Sequence, residues 1–337
     1  MIRVAINGFG RIGRNFLRCW LGRTDSGLEV VGINDTSDPR SNAHLLKYDS
    51  MLGKLNANID ADDNSLIVNG KTIKCYSDRN PLNLPWAEWG VDLVIEATGV
   101  FVDEEGASKH IVAGAKKVLI TAPGKGAGVG TYVVGVNAHE YEHDKYNVIS
   151  NASCTTNCLA PVVKVIHENL GIKHGQITTI HDPTNTNLVV DAPHKDLRRA
   201  RSAMVSLAPT STGSATAIAL IYPELKGKLN GHAVRAPVLN ASLTDCVFEL
   251  QRSTTAEEVN ALFEKAANGP LLGILGYETR PLVSVDYARD TRSSIIDALS
   301  TMVTDGTLLK VYAWYDNEMG YACRMVDLAC YMESVGI

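Results

Sequence analysis

Two patterns of apolar residues divide the chain into a first and a second half. In the first half, short continuous apolar runs alternate with segments whose apolar residues recur at helical spacing. Such runs are typical of parallel strands buried on both faces, and their alternation with helices is typical of a doubly wound sheet. The pattern predicts strands at residues 3–6, 28–33, 92–96 and 117–120, with helices at residues 12–21 and 106–113.

In the second half, the predicted strands are longer and alternate more clearly between apolar and polar residues. They are predicted at residues 176–180, 282–286 and 308–313, and at 231–250, which forms one strand or two with a kink at Pro237. Helices are predicted at residues 158–169, 256–268 and 321–334, and Thr255 with Glu258 has the spacing of a capping box. This half therefore predicts an antiparallel sheet with helices on one face.

Three glycines follow the first predicted strand in the pattern G-x-G-x-x-G. Gly8 permits a tight turn, Gly10 lets the backbone approach a pyrophosphate, and Gly13 lets strand and helix pack closely. Asp35 ends the second predicted strand about 20 residues further on, where a carboxylate binds ribose hydroxyls. An ordinary glycine turn is the alternative. The sequence predicts an α/β Rossmann-type dinucleotide-binding domain and an α+β catalytic domain with a mostly antiparallel sheet.

One cysteine stands in a setting that favours reactivity. Residues 151–153 are rich in types that cap helices, namely Asn151 and Ser153, and a predicted helix follows, so Cys154 lies at or near a helix N-terminus. The unpaired N–H groups and the dipole there favour a thiolate. A thiolate beside a nicotinamide cofactor indicates attack on an aldehyde, followed by transfer of a hydride to the cofactor. A buried cysteine that serves only as a small apolar residue is the alternative.

The composition is that of an ordinary globular protein large enough for two domains. The chain has 337 residues, of which 45% are hydrophobic and 20% charged, and its net charge is −5. That charge does not favour nucleic acid or acidic membranes, and no apolar run reaches membrane-spanning length. Seven cysteines without disulfide or zinc spacing indicate a reducing compartment and no metal site. We expect a cytoplasmic enzyme, and a plastid protein without its leader would look the same.

Six motifs spread over the whole chain resemble those of the glyceraldehyde-3-phosphate dehydrogenase family. They are NGFGRIGR (7–14), SNASCTTNCLAP (150–161), DLRRAR (196–201), PTSTG (209–213), LKGKLNG (225–231) and WYDNEMGY (314–321). The first half is similar to the cyanobacterial and plastid type, as in HLLKYDSMLG (44–53), and the second half to a subgroup associated with arsenate efflux. The resemblance implies a homotetramer in which the long aperiodic loop 181–201 lies against a neighbouring subunit.

The resemblance also implies a phosphorylating aldehyde dehydrogenase with Cys154 as the nucleophile and His181 as the general base. The implied reaction converts D-glyceraldehyde 3-phosphate, NAD(P)+ and inorganic phosphate to 1,3-bisphosphoglycerate through a hemithioacetal and a thioester on Cys154. The backbone N–H of Cys154 at the helix start is suited to stabilise an oxyanion. Without the resemblance, a solvated loop histidine remains the alternative for His181.

By the same resemblance, two anion sites and a cofactor site draw residues from much of the chain. Thr184 and Arg235 are implied at the substrate phosphate, Ser153, Thr155, Thr212 and Gly213 at the attacking phosphate, and Arg199 at either. The implied cofactor-binding residues are Asn7, Gly8, Gly10, Arg11, Ile12, Gly13, Asp35, Thr36, Arg79, Thr98, Gly99, Thr121, Asn317, which holds the nicotinamide carboxamide, and Tyr321. The implied domains are residues 1–153, completed by the C-terminal helix 316–337, and residues 154–315.

The residues leave the choice between NAD and NADP open. Asp35 repels a 2′-phosphate, whereas the hydroxyls of Thr36 and Ser37 can bind one, with Arg40 or Arg79 as a counter-charge. In the family, a threonine at the position of Thr36 favours NADP, and a proline at the position of Pro193 favours NAD. We therefore expect a preference for NAD with tolerance of NADP.

The chain departs from the family pattern directly after His181. Family members usually carry Ser-Tyr-Thr-Gly-Asp-Gln there, whereas residues 182–187 read DPTNTN, so that Thr186 replaces an acidic residue near the substrate phosphate. Met319 replaces a usual tryptophan. Three alternatives remain: arsenate as the physiological nucleophile, a redox-sensing protein that uses Cys154, and a semialdehyde dehydrogenase, which the two implied anion sites make the weaker hypothesis.

Overall fold

A computed structural model describes residues 1–23 and 26–337. They form two compact units: residues 1–153 with 322–337, and residues 154–321. Among the described residues, no helix is long and apolar enough to cross a membrane.

The first unit is built around a single sheet with helices between its strands. Its strands are β1 (Ile2–Asn7), β2 (Leu28–Asn34), β3 (Ile59–Ala61), β4 (Ser65–Val68), β5 (Lys71–Tyr76), β6 (Leu93–Glu96), β7 (Lys117–Ile120), β8 (Val129–Thr131) and β9 (Val148–Ser150). Its helices are α1 (Arg11–Leu21), α2 (Pro39–Lys47), α3 (Trp86–Trp89), α4 (Glu104–Val112) and the greater part of α8 (Met319–Val335).

The strand order in this sheet is β3-β4-β5-β2-β1-β6-β7-β9-β8. In this order, every neighbouring pair from β5 through β2, β1, β6, β7 and β9 to β8 is parallel. At the other edge of the sheet, β3 pairs with β4 and β4 pairs with β5, both antiparallel. The four strands predicted from apolar runs are confirmed, because they are the buried β1, β2, β6 and β7. Strands such as β5 were not predicted, since most of its residues are exposed and polar.

A glycine turn joins β1 to α1, as the sequence predicts. Gly8 has a φ of 90°, a region that favours glycine. A Cβ atom added at Gly13 would lie only 2.2 Å from the carbonyl oxygen of Gly8, whereas one added at Gly10 would meet no atom within 4 Å. The helix therefore packs against the turn at Gly13, and the backbone at Gly10 borders open space.

Replacing Gly13 by alanine is expected to destabilise the fold by about 2–4 kcal/mol, because its methyl group overlaps backbone that cannot move away cheaply. The measurement is the free energy of unfolding in urea. Gly10→Ala is the matched control and is expected to unfold within about 1 kcal/mol of the unmodified chain. Equal stability of the two variants would contradict the close packing at Gly13.

The second unit contains a larger mixed sheet that is mostly antiparallel. Its strands are β10 (Ile172–His181), β11 (Ala208–Ser211), β12 (Leu229–Arg235), β13 (Ser242–Leu250), β14 (Leu275–Glu278), β15 (Ser294–Asp297), β16 (Met302–Thr304) and β17 (Leu308–Tyr315), in the order β11-β12-β10-β13-β17-β15-β14 with β16 on β17. Only β10–β12 and β14–β15 pair in parallel among the described strands of this sheet. Its helices are α5 (Cys154–Leu170), α6 (Ser214–Ala217) and α7 (Ala256–Ala267). The predicted fold class is confirmed for both units.

For the segment 231–250 the alternative of two strands is confirmed: they are β12 and β13, which lie on opposite sides of β10. One strand prediction in this unit needs correction. The predicted strand at 282–286 is wrong, because residues Ser284–Tyr287 form a short 3-10 helix. Val283 and Val285 are 59% and 71% exposed, so the alternation there does not mark a buried face.

Two helix predictions are confirmed with small changes. Helix α7 begins after Thr255, whose Oγ1 accepts a hydrogen bond from the N–H of Glu258 at 3.2 Å. The Glu258 carboxylate binds Arg252 and Thr254, which differs from the return bond of a full capping box. Helix α5 begins earlier than predicted, at Cys154 itself.

Candidate active site

Cys154 is the first residue of α5, and β9 ends shortly before it at Ser150. Ala152 lies in the turn between them with a φ of 54°, a conformation that is uncommon for a residue other than glycine. Cys154 as a residue is partly exposed. The N–H groups of the first turn of α5 lack partners within the helix, which provides partial positive charge beside the sulfur.

His181 ends β10 and faces Cys154. Its Nε2 atom lies 3.6 Å from Cys154 Sγ, and its side chain is almost fully buried. Nδ1 lies 2.8 Å from the backbone oxygen of Asp182, which can only accept, so Nδ1 donates in that bond. Burial opposes the charged form, but the contacts with Asp182 and Cys154 outweigh it and raise the pKa of His181 to about 9. When no substrate is bound, the His181 side chain is therefore a positively charged imidazolium at neutral pH.

Arg235 ends β12 directly beside His181, since the two residues are partners in the parallel pairing of β10 and β12. Its Nη1 atom donates to the backbone oxygen of Asp182 at 2.8 Å and also lies 2.8 Å from His181 Nδ1. Burial and the neighbouring Arg199 lower the pKa of the Arg235 guanidinium, while the Cys154 sulfur opposes that shift. The site thus concentrates positive charge around one sulfur atom.

A buried chain of polar side chains continues from His181. Asp182 Oδ1 lies 2.8 Å from His181 Nδ1, and Asp182 Oδ2 accepts a hydrogen bond from Asn317 Nδ2 at 3.0 Å. Ser242 donates to Asn317 Oδ1 at 3.1 Å. The exposed fractions of Asp182, Asn317 and Ser242 are 2%, 5% and 1%. Both ends of the Asn317 amide are therefore fixed in orientation.

Tyr315 forms the floor of the site under His181. Its hydroxyl lies 2.9 Å from Thr155 Oγ1 and 2.8 Å from Thr179 Oγ1, and its ring meets the imidazole edge to face. Thr155 is thereby buried with its hydroxyl directed at Tyr315. Cys158, on the same helix as Cys154, is fully buried, and burial raises the pKa of its thiol to about 12. Cys158 is therefore a packed core thiol.

Four of the seven residues expected at the anion sites lie in two groups. Arg199 donates to Thr186 Oγ1 at 2.7 Å, and Thr186 Oγ1 lies 3.1 Å from Thr184 Oγ1. Thr212 lies 2.9 Å from Ser214 through their hydroxyls, and Gly213 precedes α6. The long loop after β10 carries the first group, and its described backbone makes one isolated bridge, between Leu188 and Ser202.

In the first unit, the residues expected at the cofactor meet at the carboxyl ends of the parallel strands. Asp35 Oδ2 accepts from the N–H of Phe9 at 2.7 Å, which ties the end of β2 to the glycine turn. Glu96, at the end of β6, accepts from the N–H of Thr98 at 2.9 Å, and Glu96 O accepts from the N–H of Thr121. Gly99 has a φ of 73° with no atom within 4 Å of an added Cβ.

These observations fit a dinucleotide, because they leave open space beside Gly10 and Gly99 and a carboxylate at the end of β2. Asn7 and Ile12 belong to β1 and α1 on either side of the turn. The Arg11 guanidinium is bound by Asp49. Thr36 and Arg79 are exposed, and Arg40 pairs with Asp63 at 3.2 Å.

Three residues of the site were not identified by sequence reasoning: Asp182, Ser242 and Tyr315. Asp182 is adjacent to His181 and was noted only as a departure from the family pattern. Ser242 begins β13, and only the pairing of β13 with β17 brings it near Asn317. Tyr315 stands within the last family motif, so a polar aromatic residue next to Asp316 and Asn317 was the available signal.

Comparison with known families covers both units. The model of the glyceraldehyde 3-phosphate dehydrogenase NAD binding domain matches residues 2–104, and that of the glyceraldehyde 3-phosphate dehydrogenase C-terminal domain matches residues 153–317.

Curated proteins are similar over the full length. The chain is 67% identical to glyceraldehyde-3-phosphate dehydrogenase 2 of Synechocystis over 329 residues, which cover 98% of each chain. It is 58% identical to a chloroplastic glyceraldehyde-3-phosphate dehydrogenase of Gracilaria gracilis over 99% of this chain and 80% of that protein. It is 55% identical to glyceraldehyde-3-phosphate dehydrogenase 1 of Bacillus cereus over all of both chains.

Proposed function

This chain belongs to the glyceraldehyde-3-phosphate dehydrogenase family, and we propose that it oxidises and phosphorylates D-glyceraldehyde 3-phosphate to 1,3-bisphosphoglycerate with Cys154 as the nucleophile. The observation that carries the proposal is the approach of Cys154 Sγ to within 3.6 Å of His181 Nε2 at the start of α5. A thiolate and an imidazolium at this distance stabilise each other.

His181 moves a proton twice in this scheme. The thiolate attacks the aldehyde carbon, and the imidazolium donates its Nε2 proton to the resulting oxyanion, which gives a neutral hemithioacetal. The negative charge on the Cys154 sulfur is one cause of the raised pKa of His181, and the new bond between sulfur and carbon removes that charge. The pKa then falls, so that the imidazole accepts the hydroxyl proton when the carbon is oxidised.

Residues of the first unit hold the dinucleotide in this proposal. They are Asn7, Gly8, Gly10, Arg11, Ile12, Gly13, Asp35, Thr36, Arg79, Thr98, Gly99 and Thr121, to which the family resemblance adds Asn317 and Tyr321 of the second unit. When bound, the nicotinamide would supply the hydride acceptor needed for the Cys154 hemithioacetal to be oxidised to a thioester.

Two anion sites complete the proposed active site. We assign Thr184 and Arg235 to the substrate phosphate, and Ser153, Thr155, Thr212 and Gly213 to the phosphate that attacks the thioester. We assign Arg199 to either site. Its hydrogen bond to Thr186 brings it near Thr184, which we assign to the substrate phosphate. Guanidinium groups, hydroxyls and backbone N–H groups are suitable ligands for phosphate.

The test is a panel of aldehydes assayed for reduced nicotinamide with inorganic phosphate, with arsenate and with neither. The proposal expects turnover of glyceraldehyde 3-phosphate that depends on an added anion. Turnover of non-phosphorylated aldehydes at a similar rate would contradict the assignment of Arg235. A preference for arsenate at equal concentration would favour a role in arsenate detoxification instead of carbon metabolism.

We expect the enzyme to prefer NAD, with kcat/KM about fivefold or more above that for NADP, because the Asp35 carboxylate repels a 2′-phosphate. The measurement is kcat/KM with each dinucleotide. Asp35→Asn removes the charge and keeps the shape of the side chain. It is therefore expected to reduce the difference in kcat/KM between NAD and NADP. A strong preference of the unmodified chain for NADP would contradict this expectation.

We further propose a cytoplasmic homotetramer, with residues 1–153 and the C-terminal helix as the cofactor domain and residues 154–315 as the catalytic domain. Several large apolar side chains of the loop after β10 are exposed in the single chain, including Val189, Val190 and Val205. Exposed apolar residues of this kind favour a contact with another subunit. Light scattering of the purified protein at several concentrations tests the tetramer.

A further inference from the structure

Asp182 stands where the family usually has serine, and the structure places its carboxylate between two groups of the proposed site. One oxygen, Oδ1, lies 2.8 Å from His181 Nδ1 and accepts no directed hydrogen bond, since the Nδ1 proton points to the backbone oxygen of the same residue. The other oxygen accepts from Asn317 Nδ2. A carboxylate with 2% exposure needs much more compensation for its lost hydration than the neutral hydroxyl of serine would.

The charges around His181 show what the carboxylate compensates. The imidazole faces Cys154 from α5, Arg235 from β12, Tyr315 from β17, and Asp182 from its own segment, with Arg199 acting through Arg235. Arg235 brings a positive charge to 2.8 Å from Nδ1, which disfavours a second positive charge on the ring. Asp182 and the Cys154 thiolate balance Arg235 and the imidazolium, so removing one carboxylate leaves an excess of positive charge.

We propose that Asp182 is a positioning residue that holds the imidazolium of His181 and orients the amide of Asn317 through its two oxygens. This inference rests on the proposed function, because it takes His181 as the acid–base group and Asn317 as the ligand of the cofactor carboxamide. It makes proton transfer and cofactor binding depend on one buried carboxylate. Asp182 itself touches neither the sulfur nor the substrate in this arrangement.

The two oxygens can be tested separately. Asp182→Asn removes the charge and keeps the shape, so it is expected to lower the pKa of His181 by about 1 to 3 units and to change the dissociation constant for NAD little. Asp182→Ser, which restores the usual family residue, removes both contacts. It is expected to lower the same pKa and also to weaken NAD binding about fivefold to tenfold.

Ser242→Ala is the matched control, because it removes a contact of Asn317 at the opposite end of the amide and keeps the Asp182 carboxylate. It also removes the bond that Ser242 Oγ accepts from the Asp182 backbone N–H at 3.3 Å. It is expected to weaken NAD binding and to leave the titration of His181 in place. The readouts are hydrogen–deuterium exchange at the imidazole C2 carbon of His181, followed by mass spectrometry of its peptide on both sides of pH about 9, and calorimetry of NAD binding.

The proposal is overturned if His181 titrates at the same pH in the unmodified chain, Asp182→Asn and Asp182→Ser. It is also overturned if Asp182→Ser binds NAD as tightly as the unmodified chain. If Asp182→Asn does not fold, the titration of His181 and the binding of NAD are both measured in Asp182→Ser. The exchange experiment uses the protein without cofactor or substrate, so its outcome is independent of whether the aldehyde panel confirms the proposed reaction.

Discussion

Replacing Cys154 by serine is expected to reduce kcat for oxidation of glyceraldehyde 3-phosphate by about 10⁴-fold or more. A serine hydroxyl stays protonated at neutral pH and is a much weaker nucleophile than a thiolate, so attack on the aldehyde becomes slow. Helix α5 still begins at the same residue, so substrate and cofactor affinities are expected to change far less than kcat. The assay follows reduced nicotinamide under saturating conditions.

Cys158→Ser is the control for this experiment, since it makes the same chemical change in a buried thiol of the same helix. A serine hydroxyl there has Ser294 and the backbone oxygen of Ala313 as neighbours. We expect it to retain most of the activity. Alkylation of the unmodified enzyme by iodoacetamide should modify Cys154 in step with the loss of turnover. Full turnover in Cys154→Ser would exclude a covalent mechanism.

Replacing His181 by asparagine is expected to lower kcat by about 10²- to 10⁴-fold, the usual range for a positioned acid–base group. The Michaelis constant should change little, because the imidazole acts on protons and not on the substrate phosphate. Kinetics over a range of pH is the measurement. A variant whose kcat falls by less than tenfold would indicate that solvent or another group performs the proton transfers.

The raised pKa of His181 also makes the free energy of unfolding depend on pH, and His181→Asn tests this dependence. The folded chain holds the proton of His181 more tightly than the unfolded chain, because its pKa rises from 6.5 to about 9. This stabilisation is fully present below pH 6.5 and is lost as the pH rises through about 9. In His181→Asn this part of the pH dependence should disappear, which urea unfolding at several pH values can show.

Local sequence signals predicted the parts of the molecule that depend on neighbouring residues. The glycine turn, the buried strands β1, β2, β6 and β7, and the helix that begins at Cys154 all follow from short stretches of sequence. Strands β3 and β5 could not be predicted in this way, because their exposed and half-buried residues gave no apolar pattern. Strand β4 is a mostly buried, mostly apolar run of only four residues and was missed. The false strand at 282–286 has the opposite cause, since alternating valines there face solvent.

The contacts within the site depend on distant segments and could not be predicted from spacing. Arg235 reaches His181 only because β12 pairs with β10 at a particular register. Asp182 and Asn317 are in contact although they are far apart in sequence. No local pattern indicates that the aspartate after His181 contacts both the imidazole and the Asn317 amide. The resemblance to a family supplied candidate residues, but it contained no information on a residue in which this chain departs from that family.

The register of β10 against β12 restricts how this enzyme can diverge. His181 and Arg235 are the last residues of two neighbouring strands and project on the same side of the sheet. An insertion or deletion inside either strand would displace one functional group by about 3.3 Å relative to the other. The described segment between β10 and β11 contains no named helix or strand, so no strand register fixes its length. New specificities are therefore expected to arise by exchange of that segment, with the two strand ends retained as a fixed frame.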